Sequence, residues 1–375
     1  MGKVQHATAP PPIDAWKMIA ALPGVDIPKA LDGGTLAAIG SSDPRYAWLL
    51  ANEPGVAEYL AKFETPFGRK LKPTLLVSRR EVERLPPERV SDFRNLVALA
   101  HVLHSRMQTH WSQRLAGVPF SDLFDIYPIA LSRFPDTVYF LTTSEHGMDD
   151  LAKLKIAQPA PTFAYPEHLR AECDEGFAQA ALELWREDPR RGPKAELARR
   201  LFRSFSVAYY GLRAPIANLR STVDIALPMA MMVSAFEVLA QPADGGDVKW
   251  FHVANLIRSV PWTSTRLSRR RFSPLGYKRQ GKELPTTLPV QIYLRLYRLR
   301  NKVLHGDPLQ EGATEPGRRK SWGSLLCQAP VLYRNVVLWL LARRGFGRFP
   351  VKEPTAEALV VVLGHSKWEA ALCEP

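Results

Sequence analysis

Six segments in the second half of the chain, 167–187, 194–210, 228–240, 248–260, 289–305 and 325–344, each set their apolar residues on one stripe at the 3.6-residue period. Proline- or glycine-bearing breaks separate most of them. Successive stripes of this kind bury their apolar faces against one another, which predicts a helical bundle over 161–375. No repeat of fixed period recurs, so a solenoid is not expected.

The first half reads differently. Residues 43–63 suit a helix with Asp43 as N-cap and Pro44 at the first helical position, broken in two near Pro54. Runs 72–78 and 137–143 are β-branched, aliphatic or aromatic and are bounded by turn residues, so they are expected as strands. Between them, Phe93, Leu96, Val97, Leu99, Ala100 and Leu103 recur at helical spacing within 90–110. The whole chain is therefore expected to be α+β. A mixed accessory or sensing domain over 1–160 precedes the helical domain, and the boundary falls at the two prolines of 158–161.

Of 375 residues, 46% are hydrophobic and 23% charged, which argues against wholesale disorder. The longest apolar run, 336–342, is far too short to cross a bilayer. Pro10, Pro11, Pro12 and Asp14 stand where a signal peptide would need an apolar stretch. The three cysteines, Cys173, Cys327 and Cys373, are too few and too scattered for a disulfide framework or a zinc cluster. A cytoplasmic protein without membrane association is expected.

Fifty Lys and Arg against 37 Asp and Glu leave a net charge of +13. An excess of that size favours polyanionic partners, nucleic acid first. Its location is more telling than its size. From Arg258 to His305 there are twelve basic residues and one acid, Glu283, so this window holds +11 of the total. Arg266, Arg269, Arg270, Arg271, Lys278 and Arg279 sit with Phe272 and Tyr277 in a loop over 263–287, and Arg298 and Lys302 follow on the next helix. Guanidinium and ammonium groups contact phosphates while aromatic faces stack on unpaired bases, so these eight basic residues are the candidate RNA-binding set. A solvated charge run is the plainer alternative for such a loop.

The loop leads into a compact motif. Arg300 and Asn301 are followed by three residues, then His305, Gly306, Asp307 and Pro308. Gly306 suits the position just past a helix end and Pro308 prevents continuation, so His305 is expected in the last turn. Five residues separate Arg300 from His305, about 140° of rotation and about 7.5 Å of rise on an ideal helix. Bringing the two together needs the long Arg side chain and an unwinding at Gly306. A guanidinium binds phosphate bidentately and an imidazole moves protons near neutrality, the two functions that metal-free RNA cleavage requires. Without such a ligand, the same residues are an ordinary cationic helix C-terminus.

Arg300, Asn301 and His305 with the trailing Gly306 resemble the Arg-Asn-x-x-x-His signature of the HEPN superfamily and its ApeA-like branch. Upstream, Glu237 among Met232, Val233, Ala235, Phe236, Val238 and Leu239 resembles that branch's glutamate-bearing helix. The resemblance covers about 201–344. It implies an all-α domain that pairs as a homodimer, with two Arg–His motifs along a shared cleft, acting as a metal-independent endoribonuclease without cofactor. The ribose 2′-hydroxyl would attack the adjacent phosphorus and leave a 2′,3′-cyclic phosphate and a 5′-hydroxyl. By the same resemblance His305 would be general base or acid, and Arg300 would bind the scissile phosphate. Asn301 would orient the imidazole or the phosphate, and Glu237 would hold Arg300 or assist proton transfer. Such proteins serve as toxins or abortive-infection effectors against phage, cutting cellular RNA, with an antitoxin or defence-complex partner. The alternative is a non-catalytic HEPN-type RNA-binding or assembly subunit.

Other candidates are weaker. His101 and His104 share a helical face, but no third ligand joins them, so core or surface histidines are expected. Residues 144–150 hold acids and His146 without a nucleophile elbow or metal spacing. Gly33–Gly34 and Gly245–Gly246 read as turns, and Met229, Met231 and Met232 as bundle core.

Overall fold

The computed structural model describes residues 13–53, 55–65, 68–79, 86–112, 120–126, 130–131, 138–139, 172–187, 192–213, 222–242, 245–262, 278–279, 282–283, 286–308 and 325–349. The fold is α+β. The chain divides into two compact units, Met1–Val90 with Ile126–Ala160, and Ser91–Asp125 with Pro161–Pro375. The expected boundary at 158–161 lies outside the described residues, as does most of the strand expected at 137–143.

In the first unit, β1 (Lys17–Leu22), β2 (Leu31–Asp32), β3 (Leu36–Ile39) and β4 (Thr74–Ser78) form an antiparallel sheet in the order β1-β4-β3-β2. Asp43 caps α1 (Pro44–Asn52) by accepting the Arg45 N–H, with Pro44 at the helix start; α2 (Val56–Leu60) follows beyond residue 54. Both helices cover one sheet face, where Tyr46, Leu49, Tyr59 and Phe63 meet Met18, Ile39, Leu75 and Val77. A tight turn at Gly34 (φ 89°) joins β2 to β3, its N–H held by the Asp32 carboxylate at 2.8 Å. Gly40 has a different reason: a Cβ there would overlap the Ile27 carbonyl. Short ladders β5 (Ala130–Leu131) and β6 (Val138–Tyr139) pair with each other.

The second unit is a helical bundle. Its helices are α3 (Pro87–Ser112, whose first residues precede the unit), α4 (Glu175–Glu187), α5 (Gly192–Gly211), α6 (Thr222–Leu239), α7 (Trp250–Ser259), α8 (Leu288–His305) and α9 (Leu325–Ala342). A two-residue hairpin, β7 (Lys278–Arg279) with β8 (Lys282–Glu283), interrupts the expected basic loop. α5 packs on α6, and α8 on both α6 and α7, while α9 touches α4, α6 and α8. Phe236 of α6 makes edge contacts with Tyr293 of α8 and Tyr333 of α9 at 5.8 and 5.5 Å. Ser204 of α5 donates to the Ala235 carbonyl at 2.8 Å and meets the Tyr333 hydroxyl at 2.6 Å.

Two boundaries differ from the pattern-based expectation. α4 begins at Glu175, because Asp174 caps it by accepting the Phe177 N–H at 3.0 Å. α6 begins six residues before Pro228 and runs through it. At that point Gly211 of α5 lies close to the Pro228 carbonyl, so the backbones of the two helices approach tightly.

No helix among the described residues is long and apolar enough to cross a membrane.

Candidate functional site

The C-terminal third of α8 and the facing end of α6 hold the four candidate catalytic residues. Arg300 and Glu237 lie 63 positions apart in sequence, yet Arg300 Nη2 stands 3.6 Å from Glu237 Oε2, with side chains only 24% and 18% exposed. Arg300 Nη1 donates to Asn301 Oδ1 at 3.3 Å, and its guanidinium lies 5.7 Å from the Tyr297 ring centroid. Burial pushes the Glu237 carboxyl above its ordinary pKa, and the neighbouring Arg300 charge only partly offsets that rise. The fold thus gathers Glu237, Arg300 and Asn301 into one half-buried polar cluster. Tyr297 belongs to it as well; its place one turn before Arg300 was visible as an i, i+3 spacing.

His305 is placed elsewhere. α8 stays helical through His305, and Gly306 takes the left-handed conformation at φ 73°. The Asp307 N–H bonds back to the Lys302 carbonyl at 2.9 Å and the Gly306 N–H to Val303 at 3.3 Å, the two bonds of a Schellman cap. The unwinding that would turn the imidazole toward Arg300 is therefore not present in this conformation; the αL glycine closes the helix instead of opening it. His305 is exposed, and it makes no hydrogen bond or ion pair among the described residues. By helical geometry it shares a face with Arg298 and Lys302, at positions i+7 and i+4 from Arg298, roughly 140° from Arg300. Arg298 is exposed and Lys302 half-buried.

Of the candidate RNA-binding residues in the loop, Arg266, Arg269, Arg270 and Arg271 lie outside the described residues. Lys278 and Arg279 form β7, opposite Glu283 and Lys282 of β8. Elsewhere, His101 is buried with its Nδ1 2.7 Å from the Val97 carbonyl, and His104 Nε2 lies 3.5 Å from Glu172. Among the described residues no group of three or more His, Cys, Asp or Glu is arranged to hold a metal ion.

No protein-family model, no characterised protein and no solved structure matches this chain.

Proposed function

We propose that this protein is a HEPN-type, metal-independent endoribonuclease, working as a cytoplasmic homodimer and cutting cellular RNA as an antiphage or toxin effector. The observation that carries the reading is the ion pair between Glu237 and Arg300. The resemblance implies that Glu237 holds Arg300 or assists proton transfer, and the two distant residues stand 3.6 Å apart, which suits the first role. A guanidinium anchored on one edge by a carboxylate keeps its other N–H groups for a phosphate. In the proposed reaction the 2′-oxygen bonds to phosphorus as the P–O5′ bond breaks. His305 takes the 2′-hydroxyl proton or delivers one to the leaving 5′-oxygen, and Arg300 balances charge gathering on the phosphate oxygens. Arg298 and Lys302 precede the imidazole on its face of the helix and suit backbone phosphates along the strand.

Convergence of Arg300 and His305 on one phosphorus requires the last turn of α8 to open at Gly306, or a second copy to bring its own motif across the cleft. The placement of His305 on the face away from Arg300 favours a second reading, a non-catalytic RNA-binding or assembly subunit, in which the pair only binds.

One experiment separates the two. RNA ends are sequenced after induced expression of the wild type, Arg300→Ala and His305→Ala. The nuclease reading expects new 2′,3′-cyclic phosphate and 5′-hydroxyl ends in the wild type and at least a hundredfold fewer in each variant. No new ends in the wild type, with RNA binding retained, would establish the binding subunit. New ends carrying 3′-hydroxyls, or cleavage that needs added Mg²⁺, would overturn the mechanism.

A further inference from the structure

The bundle contains a second basic site, lined by none of Glu237, Arg300, Asn301 or Tyr297. A cavity of about 330 Å³ lies where α5, α7 and the C-terminal ends of α6 and α9 meet. That volume is at the small end of ligand-binding pockets. Three guanidiniums and an imidazole line it, from Arg200, Arg343, Arg344 and His252. Among the described residues no Asp or Glu lines it. Its remaining wall is aliphatic, built by Leu197, Leu239, Leu256 and Leu340 with Ala240.

The cations are not equivalent. Arg200 is fixed: Nη1 donates to the Gln241 carbonyl at 2.7 Å, and Nε lies 3.5 Å from Glu196. Arg343 rests on the Trp339 ring at 5.6 Å, and both it and Arg344 are exposed at the rim. His252 Nδ1 accepts the Lys249 N–H at 3.1 Å, which leaves Nε2 as the ring's donor in the neutral form. Cations just past a helix end answer the macrodipole of α9, which accounts for Arg343 and Arg344 alone. It does not account for Arg200 in the middle of α5 or for His252 in the first turn of α7.

Among the described residues, counting Glu196 against the three arginines leaves a charge of about +2 around a pocket whose other walls are largely aliphatic. A single carboxylate would neutralise only half of that; a phosphomonoester at neutral pH, with about −1.5 to −2, matches it. The leucines offer an apolar ligand body the contact that a bare inorganic anion cannot use. We propose that this cavity binds a small organic phosphomonoester, its phosphate held by Arg200, Arg343 and Arg344 and its apolar body resting on the leucine wall. The site shares no lining residue with the Glu237–Arg300 cluster, and the proposal does not depend on the nuclease reading.

The test is calorimetric titration of the full chain with naphthyl phosphate, inorganic phosphate and naphthol at fixed ionic strength. Naphthyl phosphate is expected to bind at least tenfold more tightly than either other probe. The double substitution Arg343→Ala with Arg344→Ala, at exposed positions that leave the melting temperature unchanged, is expected to weaken it at least tenfold, and Arg200→Gln likewise. His305→Ala is expected to bind as the wild type does, so loss of RNA cleavage and loss of this site are told apart. Equal affinity for inorganic phosphate and naphthyl phosphate would overturn the proposal, as would binding unaltered in the double variant or no binding of naphthyl phosphate at all.

Discussion

Glu237 is held between opposing influences: burial raises its pKa and Arg300 pulls it back without restoring the ordinary value. A carboxyl whose folded pKa exceeds its unfolded one contributes stability that is complete below the unfolded pKa and is lost as pH rises through the folded one. On that sign the fold disfavours the charged form of Glu237, and the carboxylate opposes stability as pH rises. Glu237→Gln is expected to leave the melting temperature at pH 7 equal or higher while lowering RNA cleavage at least tenfold; a drop of several degrees would make the pair structural. His101 runs the other way. Its ring is fully buried, and burial with the nearby His104 outweighs the Val97 bond to push its pKa down to about 4. A histidine depressed in the folded state gives stability that is complete above its unfolded pKa, near 6.5, and disappears as pH falls toward 4. Urea unfolding from pH 7 to 4 should show that loss, about 3 kcal/mol at most from this group. His101→Leu should flatten the profile.

Three helices meet at Asp174. Its N–H donates to the Ala100 carbonyl of α3 at 2.8 Å, its carboxylate caps α4, and the same carboxylate pairs with Arg334 of α9. Both side chains are almost wholly buried, at 2% and 1% exposure. Burial alone would raise the Asp174 pKa; the charge and hydrogen bond of Arg334, with the Phe177 N–H, outweigh it and hold the carboxyl below its ordinary value. Asp174→Asn keeps a capping oxygen but strands the guanidinium, and about 3–5 kcal/mol of stability should go with it. Adding Arg334→Met should return most of that loss, a non-additivity that urea denaturation of the two singles and the double measures. Had the double variant lost the sum of both singles, the pair would be uncoupled. Asp174 also shows what a stripe pattern cannot convey: periodicity over 167–187 located the helix, whereas the cap that starts it depends on partners 74 and 160 residues away. Other elements divide along the same line. Asp43 and Pro44 announced α1 because that start is chemically local. β1 and β3 gave no such signal, since Ala20, Ala21, Ala37 and Ala38 have low strand propensity and both strands are buried too evenly to alternate. At the candidate site, Glu237 beside Arg300 followed from the resemblance rather than from spacing. The outward-facing His305 follows from Gly306, whose cap was legible but whose effect on the imidazole was not.

At the scale of the molecule, the helical unit is assembled from two stretches of chain, with α3 and residues 120–125 packed among helices that begin after residue 172. Phe93 of α3 meets Trp185 of α4 at 5.2 Å, and Arg94 lies 3.9 Å over the Tyr209 ring of α5. Asn95 donates to Ser206 at 3.0 Å, and Asp125 accepts from Tyr209 at 2.5 Å and from Arg213 at 2.6 Å. A fragment limited to 161–375 contains every candidate catalytic residue, yet it lacks all of these α3 partners. It would expose the faces of Trp185 and Tyr209 and leave the Asp174 N–H without its acceptor. An ordinary domain is stable by only about 5–15 kcal/mol, a margin that the loss of one face of a bundle core is expected to use up. The 161–375 fragment is therefore expected to aggregate or to show no cooperative thermal transition. A fragment from 86 to 375 should melt cooperatively, with native helical circular dichroism. If the shorter fragment instead unfolds at the temperature of the longer one, α3 is an appendage to the bundle and not part of its core. The comparison also bears on any test of the proposed RNA cleavage, since a chain without everything before residue 161 would fail that test through unfolding, with Arg300 and His305 untouched.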